Sequence, residues 1–272
     1  MGVNRREFIK STACLQLALA DTGLSKVLSA DQKKKARVIF GGDTLLGGYY
    51  NSFYGTMTDL PDKIDRLKSE TGLSAVADHF LGNLLHLFRE SALSVANLEG
   101  PITERYSVSD IERRMVSKKV PLRQHEDTAD ILQIAGIDMV TLANNHMYDF
   151  NREDGLKSTV DMLDKKVQYV GAGLMEDAYR CQVIPVNGIY IAFMGITDVI
   201  EPEGMAAAKN RLGVAAITET SDYRNSSMLN YALENIEEAR KYSDFSVVLL
   251  HAGPARGREL NARQIEIADI LV

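Results

Sequence analysis

Two asparagines, a histidine and an aspartate crowd the segment Leu142-Ala143-Asn144-Asn145-His146-Met147-Tyr148-Asp149, directly after the apolar run Ile137 to Leu142. Amides and imidazoles fill a strand end poorly but serve well as metal ligands and proton donors, and α/β folds collect their chemistry at the carboxyl ends of strands. On this segment alone, an Asn-rich turn whose amides satisfy their own backbone is the plain alternative. Three further apolar runs have the same shape. Arg37 to Phe40 leads into Gly41-Gly42-Asp43, Ala92 to Ala96 into Asn97-Leu98-Glu99-Gly100-Pro101, and Phe245 to Leu250 into His251-Ala252-Gly253. If these strands are parallel neighbours, Asp43, Asn97, Glu99, an asparagine of the Asn144-Asn145 pair, His146 and His251 converge on one crevice. Mixed carboxylate, amide and imidazole donors suit a hard or borderline divalent cation.

The elements that must position these groups follow from periodicity and punctuation. The glycines of Gly41-Gly42-Asp43-Thr44-Leu45-Leu46-Gly47-Gly48 predict a loop that lets backbone approach a ligand, without the Lys-Ser/Thr of a nucleotide-binding P-loop. Ser74 to Glu90 reads as a helix capped by Ser74, with a stripe through Val76, Phe80, Leu84 and Phe88; His79 and His86 on it read as packing or surface residues. Glu104 to Glu126 is polar and irregular, an insertion expected to lie over the site. Asp127 to Ala135 is a helix closed by Gly136, and Glu153 to Lys165 another, followed by a short strand at Val167 to Val170. Cys181 to Val186 and Ile189 to Met194 flank Asn187-Gly188, a strong hairpin signal, so an antiparallel pair joins the parallel units in a mixed sheet or in two packed sheets. Glu201 to Asn225 reads as a surface excursion, Ser227 to Lys241 as an amphipathic helix that feeds the strand carrying His251, and Asn261 to Val272 as a last helix.

Bulk properties are those of a globular chain of one large or two small domains: 272 residues, 45% hydrophobic, 25% charged. The net charge of -6, and basic residues concentrated only at Lys33-Lys34-Lys35 and Arg113-Arg114 with Lys118-Lys119, argue against nucleic acid as a partner. Residues 1–30 read as a twin-arginine signal peptide. Asn4-Arg5-Arg6-Glu7-Phe8-Ile9-Lys10 precedes a modest apolar segment, Ala13 to Ala20, with small residues at Ala18-Leu19-Ala20 and Leu28-Ser29-Ala30 for cleavage. The segment falls short of the about 20 apolar residues that span a membrane. Residues 31–36 form a polar linker. With Cys14 in the leader, Cys181 has no intramolecular disulfide partner in a mature chain.

From about residue 37 onward the chain resembles the bacterial capsule-synthesis family named for the poly-γ-glutamate protein CapA, a branch of the calcineurin-like metallophosphoesterases. The resemblance rests on Gly42-Asp43-Thr44-Leu45-Leu46-Gly47, Ala96-Asn97-Leu98-Glu99-Gly100-Pro101-Ile102-Thr103, the Asn-Asn-His segment with Asp149, and Val170-Gly171-Ala172-Gly173 with the hairpin after it. It implies an α/β fold, a four-layer α/β/β/α sandwich over residues 37–272 with a metal centre at the strand ends. By similarity Asp43 and Glu99 are acidic ligands, Asn145 an amide ligand and His251 an imidazole ligand, for one or two divalent ions among which Mn, Fe, Zn and Mg are not distinguished. His146 holds the place of a general acid, with Asp149 orienting it.

The sequence departs from the family where Ala252 and Ala255 stand for a usual Trp and Glu, and where Asn151 stands for a usual Gly; Asn is the next most tolerant of a left-handed backbone. A closing Gly-x-His-x-His motif is not present, which leads one to expect a domain short of its C-terminal strands. The implied function is that of an exported, metal-dependent phosphoesterase-type protein, periplasmic or extracellular. It would make or handle an anionic surface polymer or phosphoester, in association with membrane-bound polymer-synthesis machinery. The alternative is a non-catalytic polymer- or ligand-binding protein with a degenerate metal site. A serine hydrolase is disfavoured because no Gly-x-Ser-x-Gly elbow occurs.

Overall fold

The computed structural model describes residues 35–51, 56–57, 59–104, 118, 120–218, 223–253 and 259–271. The segment expected to be a twin-arginine leader, most of the expected linker, Ala255 and the greater part of the expected insertion lie outside them. In chain order the elements are β1 (Val38–Thr44), β2 (Gly47–Asn51), β3 (Thr56–Met57), α1 (Leu60–Thr71), α2 (Leu73–Arg89), β4 (Leu93–Leu98), β5 (Leu122–Gln124), α3 (Thr128–Ala135), β6 (Met139–Thr141), α4 (Glu153–Leu163), β7 (Gln168–Val170), β8 (Ala172–Gly173), α5 (Met175–Ala178), β9 (Gln182–Val186), β10 (Ile189–Thr197), β11 (Gly213–Val214), α6 (Ser227–Arg240), β12 (Phe245–His251) and α7 (Ala262–Leu271). No described helix is long and apolar enough to cross a membrane.

Four parallel strands in the order β1-β4-β6-β7 make one sheet, so their carboxyl ends share one edge. A second, mixed sheet has the order β12-β10-β9, with β10 parallel to β12 and antiparallel to β9. The β9–β10 turn is the expected Asn187-Gly188, both at positive φ (51° and 77°), which matches the twist of the flanking strands. Side chains alternate along a strand, and the clusters they join reveal what each face meets. Ala96 and Leu98 of β4 pack with Val76 and Leu85 of α2, Leu132 of α3 and Leu156 of α4. Leu93 and Val95, on the other face of β4, join Met139 and Val170 of the same sheet and Ile191 and Phe193 of the second. On the far side of β10, Met194 and Ile196 pack with Leu229 and Ile236 of α6 and Ile267 of α7.

Several local expectations give way. Gly41, Gly42 and Asp43 belong to β1 rather than to a loop: the register skips from Phe40 opposite Val95 to Asp43 opposite Asn97, a β-bulge with one extra residue on β1. Ser74 does not cap α2; Gly72, at φ 84°, precedes the helix and no side chain caps it. Leu84 is exposed while Leu85 takes the buried position. Residues 60–71, without a strong apolar stripe, still form α1, with Pro61 in its first turn and Gly72 after its last. The segment 201–225 is not a surface excursion: Met205, Val214, Ala216 and Ile217 are fully buried, and β11 pairs with β8. Asn151 does take a left-handed conformation, at φ 54°.

Candidate metal centre

The period of two that makes the inter-sheet faces apolar carries on past the apolar cluster, where the residue types change. On β4, Leu93 and Val95 are followed on the same face by Asn97, with Glu99 just beyond the strand; on β12, Phe245, Val247 and Leu249 are followed by His251. Asp43 would fall on the opposite face from Phe40 by simple alternation, and the bulge at Gly41-Gly42 brings it back into register with Asn97. The strand ends thus deliver their polar groups to the mouth of the space between the sheets. There Gly195 of β10 passes so close to β6 that a Cβ would lie 2.3 Å from Thr141 Oγ1.

Asp43, Glu99 and His251 each offer a ligand atom, all within 4.8 Å of one another. Asn145 Oδ1 lies 3.0 Å from His251 Nε2, a spacing near that of adjacent donors on an ion with bonds of about 2.1 Å. The four residues expected as metal ligands are therefore brought together. Asn97 Nδ2 donates to Asp43 Oδ1 at 2.8 Å and also to Glu99 Oε2, and its own Oδ1 accepts from Asn144 Nδ2 at 3.0 Å. Asn144 Nδ2 also donates to Leu98 O, and Asn144 Oδ1 accepts the backbone N–H of His146 at 3.1 Å. The buried Asn97 and Asn144 thereby orient both carboxylates and the Asn145-His146 turn.

His146 presents Nδ1 to Asp149 Oδ2 at 2.5 Å, which assigns the proton to Nδ1, and Nε2 lies 3.6 Å from Glu99 Oε1. The imidazole thus faces the carboxylates and not an apolar core. Asp149 is fully buried and also accepts the Leu122 N–H at 2.7 Å and Lys118 Nζ at 3.1 Å. Lys118, in a polar stretch with no motif to mark it, is a site residue that sequence reasoning does not find. His125, by contrast, belongs to a separate group with Asp65 and Glu126.

The electrostatics fit a cation. Burial, with repulsion from Asp43, pushes the Glu99 carboxyl up to about 7 against relief from His146, Asn97 and Lys118. Burial also holds His251 below the ordinary imidazole value, which favours the neutral, metal-ligating form. A divalent ion among these groups would offset both the desolvation of Glu99 and its repulsion by Asp43.

The profile of the family described as bacterial capsule synthesis protein PGA_cap matches residues 37–272. The chain belongs to that family. A capsule biosynthesis protein CapA from Bacillus anthracis is 28% identical over 158 residues, covering 57% of this chain and 36% of that protein. The chain thus matches little more than a third of the length of this curated relative. Among solved structures, a hypothetical protein from Thermus thermophilus is 17% identical with a TM-score of 0.42, covering 86% of this chain and 63% of that one. An NAD nucleotidase (NadN) from Haemophilus influenzae is 14% identical with a TM-score of 0.40, covering 72% of this chain and 30% of that one.

Proposed function

We propose that this capsule-synthesis family member is a metal-dependent phosphoesterase-type protein of the calcineurin-like metallophosphoesterase class. It acts on an anionic polymer or phosphoester in the synthesis or handling of a capsule or poly-γ-glutamate type surface polymer, after export by the twin-arginine route. The observation that carries the reading is the meeting of Asp43, Glu99, Asn145 and His251 with the His146–Asp149 pair at one place. A four-layer α/β/β/α sandwich is part of the proposal, supported by the separate apolar clusters on the two faces of each sheet.

When bound, a divalent ion supplies charge stabilisation to phosphoryl oxygens and brings the pKa of water near 7. Asp43, Glu99, Asn145 and His251 would hold it. His146, steadied at Nδ1 by Asp149, is placed to deliver a proton from Nε2 to the leaving oxygen. One feature favours a second reading, a polymer-binding protein without turnover: the donor group of Asp43, Glu99 and His251 holds a single imidazole. Metal analysis and hydrolysis of p-nitrophenyl phosphate, with Mn, Fe, Zn or Mg and with chelator, separate the two. Metal-dependent hydrolysis is expected; retention of no metal and no turnover with any of the four rejects the phosphoesterase reading.

A further inference from the structure

Lys118 reaches the candidate centre, yet it neither holds a metal nor moves a proton in the reading above. Its side chain is 6% exposed, and a buried ammonium is costly unless acceptors surround it. The acceptors are present and come from both sheets. Nζ donates to Asn145 O at 2.9 Å and Asp149 Oδ1 at 3.1 Å, in the turn after β6 of the first sheet. It also donates to Glu201 O at 3.3 Å, in the segment after β10 of the second. Three acceptors use all three protons of an ammonium, so Lys118 has none left for a substrate. Its distance of 3.3 Å from His146 Nδ1 is a contact without a hydrogen bond, because Asp149 already takes the Nδ1 proton. The centre is itself divided between the sheets. Asp43, Glu99 and Asn145 come from the first and His251 from the second, and the two parts touch where Asn145 Oδ1 meets His251 Nε2.

We propose that Lys118 is a positioning residue that pins the two sheet ends together and so fixes the distance between the Asn145 and His251 donors. This rests on the reading of the centre as a metal site, and the test keeps the two apart. Lys118→Met keeps the length of the stem and removes the three donors; Lys118→Arg restores a cation. In Mn2+ titrations of the full chain, Lys118→Met is expected to bind about 10–100-fold more weakly than wild type, the usual effect of losing a group that orients a ligand, with partial recovery in Lys118→Arg. A role in folding alone would lower the melting temperature and leave that affinity unchanged, and this result overturns the inference. Imidazole 15N spectra of the metal-free proteins provide a second readout. The chain has five histidines; signals of His146 and His251 should move in Lys118→Met while those of His79, His86 and His125 stay. If wild type binds no Mn2+, the titration is made with Fe2+, Zn2+ and Mg2+; binding of none of the four removes the metal reading, and the spectra alone then decide the pin. Unmoved His146 and His251 signals overturn it.

Discussion

Replacing Glu99 by Gln should stabilise the metal-free protein at high pH and abolish its stabilisation by metal. Glu99 is buried, and its carboxyl is pushed from an ordinary 4.5 to about 7. Below pH 4.5 the carboxyl is protonated whether the chain is folded or not, so it contributes no pH dependence. Between 4.5 and about 7 the unfolded chain ionises first and stability falls by about 1.4 kcal/mol per pH unit; above 7 the loss levels off at about 3 kcal/mol. Gln keeps the shape and the acceptor for Asn97 Nδ2 but carries no charge. Urea unfolding in chelator should therefore find Glu99→Gln more stable than wild type by up to about 3 kcal/mol at about pH 8, and near equality at about pH 4.5. Added Mn2+ should reverse the order at the higher pH by stabilising wild type only. A variant no more stable than wild type there without metal would refute the idea that Glu99 is a buried charge awaiting a cation.

Removing the imidazole in His146→Gln should cut phosphoester hydrolysis by about 10²–10⁴-fold with bound metal unchanged by elemental analysis; lost metal would place His146 among the ligands. Gly195→Ala drives a Cβ onto Thr141 Oγ1 between the sheets and should cost about 1–3 kcal/mol in urea unfolding, whereas Gly42→Ala, with nothing within 4 Å of its Cβ, should change stability little. Lys at both Arg5 and Arg6 should leave the protein in the cytoplasm on cell fractionation; unchanged export would reject the twin-arginine assignment.

The local chain determines much of this architecture. Strand ends that switch from apolar residues to Asp, Asn, Glu and His, the Asn187-Gly188 turn and the Gly136 helix stop are all short-range signals, and the structure has the corresponding elements. β1, β4 and β6 are parallel neighbours whose carboxyl ends share one edge, which gathers Asp43, Glu99 and Asn145; His251 ends β12 of the second sheet, so its place beside them was legible from the family resemblance and not from a shared edge.

Tertiary structure alone decided the rest, wherever the outcome depends on contacts far apart in sequence. The bulge that turns Asp43 toward Asn97 arises from pairing with β4, and two glycines in sequence do not distinguish it from a loop. Segment 201–225 looks like surface because it is rich in small and polar residues, yet β11 finds a partner in β8 and the core closes over Met205 and Ile217. Lys118 is one lysine in a polar stretch. Its role appears only when the turn after β6 and the segment after β10 come within reach of one ammonium, because a buried charge takes its meaning from the acceptors that the fold places around it.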